Sequence, residues 1–176
     1  DEEIVAGCLK GDPMAQRALY DTYSRKMMGI CLRYADDYDE AQDILQDGFI
    51  KVFQKLGSYS GSGALGGWMA RTMVNTALDH IRRNKQNKQT LDINDTEYLV
   101  PEDETTLSAL GTKELLRLIQ ELPPGYKTVF NMFAIEGYSH KEIADELDIS
   151  ENTSKSQFRK AKAYLRRSIP SREPTQ

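Results

Sequence analysis

The stretch from Ser139 to Arg167, SHKEIADELDISENTSKSQFRKAKAYLRR, leaves the chain little choice of local structure. Ser139 can cap a helix, and Glu142 three residues on completes a capping box, each side chain satisfying a backbone N–H at the helix start. Ile143, Ala144 and Leu147 then fall on one helical face. Leu147 and Ile149 bracket the polar Asp148 at a turn, and Ser150 can cap a second helix. On that second helix Ser154, Phe158, Ala161 and Leu165 recur at i, i+4, i+7 and i+11, a stripe that faces inward. The remaining surface carries Asn152, Lys155, Ser156, Arg159, Lys160, Lys162, Arg166 and Arg167, with no carboxylate after Glu151.

Two helices joined this way have the layout of a helix-turn-helix, whose second helix lies in the DNA major groove. The first turn of that helix offers backbone N–H groups to a phosphate oxygen. Its Asn, Lys, Ser and Arg side chains are the types that bond base edges and backbone. A basic helix can also be nothing more than a solvated face. The capping box, the short turn and the one-sided charge together favour DNA binding.

Net charge bears on this only when divided by segment. The 176 residues sum to −4. Residues 1–88 hold 12 basic and 12 acidic side chains, and residues 106–176 hold 11 and 9. The excess acid sits at 89–105, with Asp92, Asp95, Glu97, Glu102, Asp103 and Glu104 and no basic residue. Local faces therefore matter more than the overall charge. A hydrophobic fraction of 39% and a charged fraction of 28% suit a soluble globular protein. No apolar run approaches the ~20 residues that span a bilayer, and no signal peptide is visible. Cys8 and Cys31 lack the spacing of a zinc site and fit a reducing cytoplasm. No metal or cofactor is expected.

Helical periodicity runs through the whole chain, and alternating strand patterns and internal repeats do not occur. A short amphipathic segment ends near Gly11, and Asp12 with Pro13 starts a helix that runs to about Ala35. After a polar break, Asp39 and Gln42 give a second capping-box-like start. Ala41, Ile44, Leu45, Gly48, Phe49, Val52, Phe53 and Leu56 then keep helical spacing. Residues 57–67, GSYSGSGALGG, form the loosest segment, a connector or a place where backbone meets a ligand. Trp68 opens a helix to about Lys85, with Ala70, Met73, Val74, Ala77 and Ile81 inside and a basic end at IRRNKQNK. Cations there also suit the helix dipole without any partner.

Residues 89–105 are predicted to be a linker, with some helix possible at 101–110. A second helical unit begins about Leu107. Leu115, Leu116, Leu118, Ile119 and Leu122 form one apolar helix, stopped by Pro123 and Pro124. Tyr126 to Ile135 forms the next. The expected fold is all-α: two small helical domains, 1–88 and 106–170, joined by a flexible acidic linker at 89–105, the C-terminal one a helix-turn-helix.

At three places, in order, the chain resembles the extracytoplasmic-function group of bacterial RNA polymerase sigma factors. Residues 41–56, AQDILQDGFIKVFQKL, are similar to the family's polymerase-binding helix. Residues 68–83, WMARTMVNTALDHIRR, resemble the helix that reads the promoter −10 element, and residues 121–167 resemble the domain that reads the −35 element. The chain departs from the family pattern in its glycine-rich loop, in Gln157 where Arg is usual, and in Phe158 where a smaller aliphatic residue is common. These departures bear on base preference.

The resemblance implies a transcription initiation factor, not an enzyme, that ties polymerase core to promoter DNA. Asp43, Gln46, Asp47, Lys51 and Gln54 would dock on the clamp of the largest polymerase subunit, the flap being the expected second contact on the core. Tyr59, Arg71, Asn75, Asp79, Arg82 and Arg83 would serve the −10 element, with Lys85 as a further phosphate contact and Trp68 as core. Thr153, Lys155, Ser156, Arg159 and Lys162 would face the −35 groove, flanked by Asn152 and Arg166. The acidic linker would imitate a phosphate backbone inside polymerase channels. The resemblance also implies an anti-sigma partner, often membrane-tethered, and no small-molecule substrate. The competing reading is an operator-binding regulator without polymerase contact, which explains 121–167 but not 41–83. Catalysis has no visible residue set: His80 and His140 are far apart, and each reads as a surface or capping residue.

Overall fold

The computed structural model describes residues 1–87 and 112–168, and every regular element among them is helical. The chain divides into two compact units, Asp1–Gln89 and Thr90–Gln176. The expected linker at 89–105 and the possible helix at 101–110 lie outside the described residues.

The first unit holds α1 (Glu2–Leu9), α2 (Pro13–Tyr34), α3 (Tyr38–Lys55), a 3₁₀ turn (Leu56–Ser58) and α4 (Leu65–Asn87). Asp12 caps α2 as expected, its carboxylate accepting from Met14 N at 3.0 Å with Pro13 at the first helical position. At α3 the capping residue is Asp37, not Asp39: Asp37 accepts from Glu40 N at 2.8 Å, and Glu40 accepts from Asp36 N at 2.7 Å. The helix takes the earlier of two overlapping cap signals and gains two residues. α4 likewise starts at Leu65, three residues before Trp68. Its two glycines enter the first turn because Leu65 is buried and Gly66 lies against the Tyr23 ring.

α2, α3 and α4 pack pairwise around Leu19, Met27, Ile44, Leu56, Met69, Met73 and Leu78, all fully buried. Gly48 lets α3 and α4 approach closely, since a Cβ there would overlap the Met73 sulfur. Met69 and Leu78 fill places on the inner face of α4 that the sequence reading assigned to Ala70 and Ile81, which are only half-buried. Cys8 and Cys31 are both free and buried, and burial pushes the Cys31 thiol up to about 12.

The second unit holds α5 (Thr112–Gln120), α6 (Pro124–Phe130), which continues as a π-helical turn (Asn131–Ile135), then α7 (His140–Leu147) and α8 (Glu151–Ser168). Leu118, Ile119, Leu122, Phe130, Ala161 and Leu165 form its core, with Leu115, Tyr126 and Phe158 packed against it. Leu116, expected inside, is 39% exposed on the outer side of α5. Pro124 does not merely stop α5; it occupies the first turn of α6, where its missing N–H costs nothing. Gly137 takes a positive φ of 78° on the way into α7, and Asp148 a left-handed φ of 53° after it, closing the tight turn.

Candidate nucleic-acid interface

Local caps aim α8. The predicted capping box is present: Ser139 Oγ accepts from Glu142 N at 3.2 Å, and Glu142 accepts from Ser139 N at 2.8 Å. Ser150 Oγ accepts from Thr153 N at 3.0 Å at the start of α8. Ser154, Ala161 and Leu165 are buried and Phe158 half-buried, so the inward stripe is as expected. One residue further round, Lys155, Arg159, Lys162 and Arg166 repeat at i, i+4, i+7 and i+11, a cationic stripe beside the buried one.

The members of that stripe differ in freedom. Asn152 and Arg159 are exposed. Lys155 is exposed and ion-paired with Glu151 at 2.8 Å, and the Lys155 hydrogen bond holds the Glu151 carboxyl below its ordinary value. Lys162 is half-buried with its ammonium 5.1 Å from the Phe158 ring centre. Thr153 and Ser156 are half-buried, the Thr153 hydroxyl lying 2.8 Å from that of Ser150, and Arg166 is half-buried.

His140 is not a plain surface or capping residue. Its ring stacks on Phe133 at 4.2 Å and meets Phe158 edge-on at 5.9 Å, and its Nδ1 lies 2.9 Å from the buried Ser154 Oγ. This ties the start of α7 to the first turn of α8. Burial, reinforced by the Lys155 charge and opposed by Glu151, holds the His140 imidazole below its ordinary value.

In the first unit, residues the sequence assigned to separate tasks share one surface. Asp47, Ile50, Lys51 and Gln54 of α3 and Asp79, Arg82 and Arg83 of α4 line a groove of about 550 Å³. Lys51 Nζ donates to Asp79 at 2.8 Å, and Arg82 to the other Asp79 oxygen at 2.8 Å. Asp47 accepts from His80 Nε2 at 2.8 Å and pairs with Arg83 at 3.6 Å. The His80 hydrogen bond, helped by Arg83 and outweighing burial, holds the Asp47 carboxyl below the ordinary range. Burial pushes the Asp79 carboxyl up, but Lys51 with Arg82 and Arg83 outweighs it and holds that group low as well. Asp47 and Asp79 are 42% and 44% exposed and Lys51 31%, so each pair contributes about 0.2–1 kcal/mol to stability. Both oxygens of Asp79, a candidate for bonding base edges, are thus occupied within the chain.

Asp43 and Gln46 are exposed on the same helix, and Arg71, Asn75 and Arg82 follow one another on the exposed side of α4. Tyr59 is half-buried: its ring lies 5.7 Å from Trp68, and its hydroxyl donates to Gly63 O at 2.6 Å, so it braces the glycine-rich loop. Trp68 is half-buried, not core.

Sequence reasoning missed Ile50, 48% exposed in the middle of the charged groove. The signal was there: Ile50 falls off the apolar stripe of α3 and between Asp47, Lys51 and Gln54 on its polar face. His80, Ser154 and His140 had no comparable signal, since their partners are distant in sequence.

Comparison with known proteins agrees with this division. Residues 19–87 match Sigma-70 region 2, and residues 112–165 match Sigma-70, region 4. The chain is 26% identical to the RNA polymerase sigma-H factor of Pseudomonas aeruginosa, covering 96% of this chain and 93% of that protein. It is 28% identical to the ECF RNA polymerase sigma-E factor of Haemophilus influenzae over 96% of this chain and 95% of that one. Among solved structures, the fold is similar to that of the sigma factor RpoE from Bartonella quintana, solved with the anti-sigma factor NepR. That likeness has a TM-score of 0.52 at 16% identity and covers 89% of this chain and 98% of that one. An operator-binding regulator without polymerase contact has no use for the first of the two matched regions, and that reading falls. The chain belongs to the sigma-70 family of RNA polymerase sigma factors, in its extracytoplasmic-function group.

Proposed function

We propose that the two units divide the work of promoter-specific transcription initiation. The α3 face carrying Asp43, Gln46, Asp47, Lys51 and Gln54 docks on polymerase core. α4 meets the −10 element with Arg71, Asn75, Arg82 and Arg83, beside the loop that Tyr59 braces. The α8 side chains Asn152, Thr153, Lys155, Ser156, Arg159, Lys162 and Arg166 meet the −35 duplex. The observation that carries this reading is the cationic stripe of α8 beside its buried stripe: it presents charge on one side of a helix that capped turns aim. The protein works in the cytoplasm with no chemistry of its own. An anti-sigma protein restrains it, as NepR accompanies the B. quintana factor.

Run-off transcription with purified core polymerase tests the proposal. Adding the chain converts core into an initiator with defined start sites, and those starts depend on the α8 cations. Core that stays unspecific in its presence refutes it.

A further inference from the structure

The cationic stripe of α8 begins with a carboxylate. One turn back from Lys155, Glu151 falls on the same face as Lys155, Arg159, Lys162 and Arg166, at the leading end of the helix. It is the one acidic residue of α8, and its side chain is 49% exposed. Lys155 Nζ donates to it at 2.8 Å, and that hydrogen bond holds the carboxyl below its ordinary value, so Glu151 is ionised and only accepts. A first-turn acid suits the helix dipole, and Glu four residues before Lys suits an exposed helix. The dipole alone would be served equally by an acid on any side of that turn. On this side the carboxylate faces the polyanion that the rest of the stripe attracts, and it weakens phosphate binding unless a base donor receives it.

Resting on the reading of α8 as the −35 recognition helix, we infer that Glu151 is a specificity-determining residue: with Lys155 it reads one C·G base pair in the major groove, the carboxylate accepting from the cytosine amino group and the ammonium donating to the guanine. The major-groove edge of that pair runs donor, acceptor, acceptor: cytosine N4, then guanine O6 and N7. N4 and O6 are Watson–Crick partners and so lie about 2.9 Å apart, an ordinary N–H···O length. The Glu151 oxygen and the Lys155 nitrogen present the complementary acceptor and donor 2.8 Å apart. An A·T pair fits less well, because its amino group lies between two acceptors, adenine N7 and thymine O4, and a carboxylate set on it meets their lone pairs. The reversed pair, G·C, puts guanine's acceptors against the carboxylate. The leading end of a recognition helix is also where helix-turn-helix proteins touch base edges.

The test is selection by the full chain from a library of DNA duplexes randomised over the −35 region, with the bound duplexes sequenced. The parent should enrich C·G at one position by about 5- to 20-fold, the lower part of the range for a base contact. Glu151→Ala should lose that preference and keep those at the other positions, which show in the same experiment that the variant is folded. Glu151→Gln should move the preference toward A·T, since Gln bonds adenine N6 and N7. Lys155→Ala should weaken the preference at the same base pair. A dipole or pairing role alone would change affinity for all duplexes alike, and a Glu151→Ala motif identical to the parent's overturns the inference. Should Glu151→Ala bind no duplex, Glu151→Gln decides: an unshifted motif overturns it. If the parent enriches no sequence, or Arg159→Ala with Lys162→Ala leaves affinity and motif unchanged, the reading of α8 itself is wrong, and the inference falls with it.

Discussion

Phe158→Ala is expected to cost the second unit about 3 kcal/mol. A fully buried Phe→Ala change costs about 3–5 kcal/mol. Phe158 is only half-buried, so about half of that applies. To it are added the ring contacts, each worth about 0.5–1.5 kcal/mol: Phe133 at 4.5 Å and Phe130 at 5.9 Å. The His140 edge contact at 5.9 Å and Lys162 at 5.1 Å contribute less. A unit of this size has a total stability of roughly 3–5 kcal/mol, so the variant stands near the point of unfolding at room temperature. Urea titration followed by far-UV circular dichroism measures the loss. The single tryptophan, Trp68, lies in the first unit, and its emission serves as the reference. Phe158→Leu keeps most of the apolar volume and should lose about 1 kcal/mol or less. Affinity for −35 duplex should follow the folded fraction, and a saturating duplex should restore the structure by mass action. A loss under about 1 kcal/mol for the alanine variant refutes the account of Phe158 as the hub that joins the π-turn, α7 and α8.

Three further outcomes follow from the geometry. Gly48→Ala drives a methyl into the Met73 sulfur and should destabilise the first unit by about 1–3 kcal/mol, read from Trp68 emission in urea; an unchanged midpoint means that α3 and α4 have room to separate. Because His140 titrates below its ordinary value in the folded chain, its contribution is complete above about 6.5, the unfolded value, and is lost as pH falls through the lower folded value. Second-unit stability should therefore decline over that window, and His140→Gln should flatten the decline; an equal slope in both proteins sinks the assignment. Arg159→Ala should weaken binding to −35 duplex by about 1–3 kcal/mol in a gel-shift or anisotropy titration, and unchanged affinity removes Arg159 from the interface.

What could be read from the sequence follows from the range of the interactions involved. Caps are local, so Asp12, Ser139 with Glu142, and Ser150 could be assigned from spacing alone, and so could the inward stripe of α8. Local signals fail where two overlap. Asp37 with Glu40 and Asp39 with Gln42 both fit a cap, and only the packed helix chooses between them. They also fail where packing overrides propensity. Gly66 and Gly67 suggest a loop, but Leu65 is pulled into the core and carries them into α4. The groove lay beyond this reach for a different reason. Lys51 and Asp79 are 28 residues apart, and Asp47 and His80 are 33 apart. Along the chain they read as two surfaces with two partners, one for protein and one for nucleic acid. Folding lays Asp47 of α3 against His80 and Arg83 of α4, and Lys51 of α3 against Asp79 of α4, so residues that look separate along the chain meet across one pair of helices.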